Sequence, residues 1–153
     1  MTEHEYCSKM AALLAKKLAA RHAVKIIDFP HMTNAADLAA TVKTINADEF
    51  SLSVSLHCDY YDNPAARGAH VCYFSSTGKL YAEAVARFLC EIMPGRAEKT
   101  VRRPGLYVLA ETECPAILIE FGFVSNEADA KKMVVLADQL ADAVVAGINS
   151  VAT

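Results

Sequence analysis

Pro115-Ala-Ile-Leu-Ile-Glu120-Phe-Gly-Phe-Val-Ser-Asn126 sets four apolar residues in a row, then a carboxylate, then turn-forming chemistry at Gly122 and Asn126. A short apolar run bounded by turn residues suits a strand. A carboxyl group carried at the end of such a strand lies against surroundings that disfavour its charged form. Its pKa rises, which suits it to take up a proton near neutral pH. Glu120 is therefore a candidate general base; the plainer alternative is a strand-end glutamate in solvent.

A second stretch, Ser51-Leu-Ser-Val-Ser-Leu-His57-Cys-Asp59, alternates strictly. Phe50, Leu52, Val54 and Leu56 fall on one face and Ser51, Ser53 and Ser55 on the other, and parity places His57 with the serines. An imidazole at a strand end presents one ring nitrogen to zinc when a neighbour fixes its tautomer. The competing reading is a partly buried, hydrogen-bonded histidine. Asp59 either orients a ligand or caps the turn. Cys58 beside His57 suggests a thiolate nucleophile, yet neighbours on a strand diverge, and such a pair is normally assembled by the fold.

The flanking sequence alternates helices and strands. Tyr6, Met10, Leu13, Leu14 and Leu18 have helical spacing, with Lys9 and Lys16 on the other side. Residues 24–27 are a β-branched run suited to a strand. Residues 30–34 read as a turn, and Leu38, Val42 and Ile45 mark a second helix. Residues 71–74 predict a strand, Tyr81 through Ile92 a third helix, residues 106–109 and 116–120 two further strands, and Met133 through Ile148 one last helix. This order predicts an α/β fold, a layered helix/sheet/helix domain with a mostly parallel or mixed sheet and its ligand site at strand carboxyl ends.

The sequence of 153 residues, 54% hydrophobic, fits a single domain over 1–153. A net charge of -3 gives no broad footprint for nucleic acid, and Arg96, Lys99, Arg102 and Arg103 read as a solvated basic loop. No apolar run reaches the length of a membrane helix, so no membrane insertion is expected, and no export signal is visible. The five cysteines are odd in number and lack a CxxC pair, which argues against a disulfide framework and for small core residues. Glu5 opens the first helix, where the dipole favours a carboxylate whatever its role. Its phase beside Lys9 and Lys16 predicts a solvated side chain, and Glu3 and His4 offer similar chemistry close by.

Taken in order, Glu5 at a helix start, Asn46 before an acidic turn, Ser55-Leu56-His57, residues 106–109, Thr112 and the 115–126 segment resemble the zinc-dependent N-acetylmuramoyl-L-alanine amidases of autolysins and endolysins. The resemblance runs from Glu5 to about Ile148. It implies that Glu5 and His57 are zinc ligands and that Glu120 is the catalytic glutamate. The family's first strand, with a further ligand in a Gly-His-Gly turn, has no counterpart here. Thr41 stands near a usual arginine, and Asp59 where asparagine is often found. His4 is poorly directed as a replacement ligand, and His31 and His70 qualify only if the fold brings them near.

What the resemblance implies is hydrolysis of the amide between N-acetylmuramic acid and L-alanine in peptidoglycan, outside the membrane at the cell wall, after cytoplasmic synthesis if no export signal is present. Two other classes stay open: a catalytically inactive peptidoglycan-binding or regulatory relative, and a zinc peptidase of similar fold.

Overall fold

The computed structural model describes residues 1–29 and 34–152, so His31 and most of the expected turn at 30–34 lie outside the described residues. The chain forms α1 (Glu3–Leu18), α2 (Asn34–Asn46), β1 (Ser53–Asp59), β2 (His70–Tyr73), α3 (Ser76–Ile92), β3 (Thr100–Arg102), α4 (Tyr107–Ala110), β4 (Ala116–Phe123), α5 (Glu127–Val135) and α6 (Ala137–Val151). The sheet order is β1-β4-β2-β3. β1 runs parallel to β4 and β2 parallel to β3, while β2 and β4 are antiparallel, so the sheet is mixed.

Alternation along β4 divides the core in two. Ile117, Ile119 and Phe121 join a large cluster with Tyr6 and Met10 of α1, Val85 and Leu89 of α3, and Leu140 and Val144 of α6. Ala116 and Leu118 join a smaller cluster with Cys72 of β2 and Val108 and Leu109 of α4. Helices therefore cover both faces, as the layered α/β expectation requires.

Three expected elements differ. Residues 24–27 form no strand, and Val24 and Ile26 are exposed; β-branched residues make a strand only where a ladder partner exists. Residues 106–109 were expected as a strand but mostly coil into α4, in keeping with the ambiguity of a short apolar run. The last helix is two helices, bent by 79° at Leu136. The supposed basic loop contains β3, a three-residue strand paired with β2.

Asp129 is buried although nothing in the sequence marks it for the core. Its Oδ2 accepts the Gly68 N–H at 2.8 Å and the Phe123 N–H at 3.0 Å, tying the approach to β2 to the end of β4. Gly122 makes this possible, because a Cβ there would sit 3.0 Å from that same oxygen and 2.9 Å from Met93 Cε.

Candidate active site

The register places three titratable residues in one row. Glu120 is the Cα partner of His57 on β1 and of His70 on β2. Directly paired residues project to the same side of a sheet, so an imidazole stands on each flank of the carboxylate. This is the thinly covered face of β4, where the small cluster ends and the row continues it.

Glu120 itself is only partly exposed, and its Oε2 is buried with no hydrogen-bond partner. Burial pushes its pKa up to about 7, and the Asp59 and Glu3 carboxylates push in the same direction against Arg96 and Arg103. The expectation of a raised glutamate is met, with desolvation as its main cause. His70 is buried and its pKa is lowered to about 4, first by burial and then by Arg96. It is neutral at physiological pH, with Nε2 3.8 Å from Cys72 Sγ.

His57 Nδ1 lies 3.1 Å from Glu3 Oε1, and the same oxygen accepts the Cys58 N–H at 3.1 Å. Both side chains are close to half exposed, His57 at 45% and Glu3 at 49%. Glu5, expected as the metal ligand, is elsewhere. Its Oε2 accepts the Thr2 N–H at 2.7 Å while Thr2 Oγ1 accepts the Glu5 N–H at 3.1 Å, a reciprocal capping box. Those hydrogen bonds hold the Glu5 carboxyl below its usual range. The physical reason is helical phase: Glu3 is one turn before Tyr6 and Cys7 on the face toward β1, and residue 5 is rotated about 200° from residue 3.

Asp59 follows a bulge in the ladder and pairs with Arg96, whose Nη2 donates to Asp59 Oδ2 at 2.8 Å. The Arg96 Nε–H donates to Gly68 O at 2.9 Å, and the guanidinium lies 4.3 Å above the Phe123 ring. Arg96 is therefore a part-buried brace of the site, not a member of a solvated loop. Asn46 and Thr112 also act structurally: Asn46 Nδ2–H donates to Glu111 O and its Oδ1 accepts the Glu113 N–H, while Thr112 Oγ1–H donates to Val108 O. These bonds fix the segment that enters β4.

A carboxylate oxygen and an imidazole nitrogen are ordinary zinc donors, and their 3.1 Å separation is close enough for one coordination sphere. Glu3 and His57 thus fit zinc as two of its ligands, next to a carboxyl oxygen left without a protein partner. Among the described residues no group of three or more His, Cys, Asp or Glu is arranged to hold a metal, and His70 lies across Glu120 from His57. His4 pairs instead with Asp28, Nε2 to Oδ2 3.8 Å.

The sequence profile of the N-acetylmuramoyl-L-alanine amidase family matches residues 1–150. Over 100 residues the chain is 31% identical to the germination-specific N-acetylmuramoyl-L-alanine amidase of Bacillus subtilis (strain 168), covering 63% of this chain and 41% of that protein. It is 30% identical over 100 residues to the probable cell wall amidase LytH of Staphylococcus saprophyticus, covering 64% of this chain and 33% of that protein. The matched region thus spans less than half the length of these curated relatives. Among solved structures, the catalytic domain of the CD27L endolysin targeting Clostridia difficile superposes with a TM-score of 0.90 at 25% identity, over 97% of this chain and 83% of that one.

Proposed function

Because this chain belongs to the N-acetylmuramoyl-L-alanine amidase family, we propose that residues 1–153 act as one catalytic domain that hydrolyses the amide between N-acetylmuramic acid and the L-alanine of the peptidoglycan stem peptide at the cell wall. The observation that carries this reading is the Glu120 carboxyl, buried in part, raised to about 7 and left with an unpaired oxygen beside His57.

In this reading Glu120 Oε2 takes a proton from the attacking water and delivers it to the amide nitrogen as the bond breaks. A group half ionised near neutrality serves both transfers. Glu3 and His57 would hold zinc, which supplies Lewis-acid polarisation when bound. The neutral His70 flanks Glu120 without adding charge. Arg96, locked by Asp59 and Gly68, opposes the carboxylates and keeps Glu120 from rising further. A carboxyl poised in this way favours turnover over a role in binding alone.

The test is release of free L-alanine amino termini from purified peptidoglycan, measured for the parent chain and for Glu120→Gln with zinc supplied. Release by the parent and its loss in a folded variant support the assignment. Cleavage within free peptides but none in sacculi would transfer the chain to a peptidase reading.

A further inference from the structure

We propose, building on the amidase activity above, that His70 contacts the substrate and selects a peptide leaving group: its imidazole N–H donates to the carbonyl oxygen of the alanine whose amide is cut.

The fold buries His70 without giving it a good partner. The residue is 8% exposed, and among the described residues its ring has one hydrogen-bond contact, Nε2 to Cys72 Sγ at 3.8 Å. Buried polar groups ordinarily do better than this, because a thiol is both a weak donor and a weak acceptor. Parity along β2 sends Val71 and Tyr73 to the large cluster and Cys72 to the small one, so His70 stands on the same side as Glu120. The two are direct antiparallel partners, which sets their Cβ atoms about 5 Å apart. Glu120 Oε2 is itself buried with no partner. Two under-used polar groups therefore stand side by side, and packing accounts for neither.

The order of the row says which part of the substrate His70 meets. Neighbouring strands lie about 4.8 Å apart, so the row from His57 through Glu120 to His70 spans about 10 Å. The scissile carbonyl belongs at the His57 and Glu3 end, and Glu120 must reach the amide nitrogen to protonate it. The alanine attached to that nitrogen then lies beyond Glu120, on the His70 side, and its carbonyl oxygen is the first acceptor there. Burial keeps the ring neutral, and a neutral imidazole carries one N–H and one bare nitrogen. An uncharged donor suits a carbonyl oxygen. A leaving amine without that carbonyl leaves the buried N–H unpaired, the condition under which a site discriminates well between substrates.

The experiment is a binding cycle with two probes, N-acetylmuramoyl-L-alanine amide and the isopropylamide of N-acetylmuramic acid, which lacks only the alanine carboxamide. Affinities are read by NMR titration of the full chain with zinc supplied, in the non-cleaving Glu120→Gln background. With His70 present the alanine amide should bind about tenfold more tightly than the isopropylamide. His70→Phe or His70→Leu should erase that difference by weakening the alanine amide alone, while the melting temperature holds or rises because a poorly paired polar group has left the core. Two apolar replacements of different volume guard against one that fails to fold. His70→Gln, which keeps an N–H donor, should restore part of the preference. Equal binding of the two probes with His70 present, or a preference that survives in the apolar variants, would overturn the inference. Alanine release from peptidoglycan by the parent chain alongside either result would leave the amidase reading standing; no release and no binding of either probe would remove both.

Discussion

The two faces of β4 are built from the same eight residues and do different things. Toward α1, α3 and α6 the strand shows Ile117, Ile119 and Phe121, each 0% exposed, and Phe121 meets Tyr6 edge-on with ring centroids 5.7 Å apart. Toward α4 it shows Ala116, Leu118 and then Glu120, whose oxygen is buried and unpaired. One face spends its whole length on packing. The other packs for two residues and then uses the lower dielectric it has created to shift a carboxyl. The lesson is that stability and reactivity are separated by side-chain parity on one strand, so substitutions one residue apart should have unlike consequences.

The sharpest way to break this separation is at Glu120. Glu120→Gln should lower the amidase rate by about 10³-fold while the melting temperature holds or rises, since an uncharged amide suits that environment better. A rate loss matched by unfolding would merge the two roles. Next in size, Phe121→Ala on the packed face should cost about 3–5 kcal/mol and Leu118→Ala on the thinner face about 2–3 kcal/mol, read from chemical denaturation. Equal costs would mean the faces are packed alike.

The first turn of α1 repeats the contrast between neighbouring residues. Glu3→Ala should weaken zinc binding by at least about tenfold to a hundredfold, whereas Glu5→Ala should leave zinc in place and lower only the melting temperature through loss of the cap. The reverse result would restore Glu5 as the ligand despite its hydrogen bonds to Thr2.

The smallest effect is a pH dependence in the metal-free chain. Glu120 has a folded pKa of about 7 against an ordinary carboxyl value of 4.5. Between those values the folded state holds the extra proton, so the group's stabilising contribution is complete below about 4.5 and is lost as pH rises through about 7. Unfolding free energy should decline across that window, and Glu120→Gln should remove this component. Added zinc, a nearby cation, should move the window toward acid; an unmoved window would place the ion away from Glu120.

Much of the fold was legible because burial imposes a period. The alternation through Phe50 to Leu56 gave β1 and the side on which His57 lies, and the apolar run before Glu120 gave β4 and its raised carboxyl. Less was legible where partners decide the outcome. β3 is short, basic and at a sheet edge, so no apolar pattern marks it. Residues 106–109 are too few to choose between helix and strand without knowing what they pack on. Arg96 looked like one cation among four until Asp59, Gly68 and Phe123 surrounded it.

The sequence by itself determined the layered α/β class, His57 and Glu120 as strand-end groups, and the sign of the Glu120 shift, because each depends on local periodicity and apolar neighbours. Only the tertiary structure decided which glutamate of α1 meets His57 and that His70 flanks Glu120. Those contacts depend on the rotation of a helix about its axis and on the order of strands in a sheet. Both are fixed by packing between segments far apart in the chain.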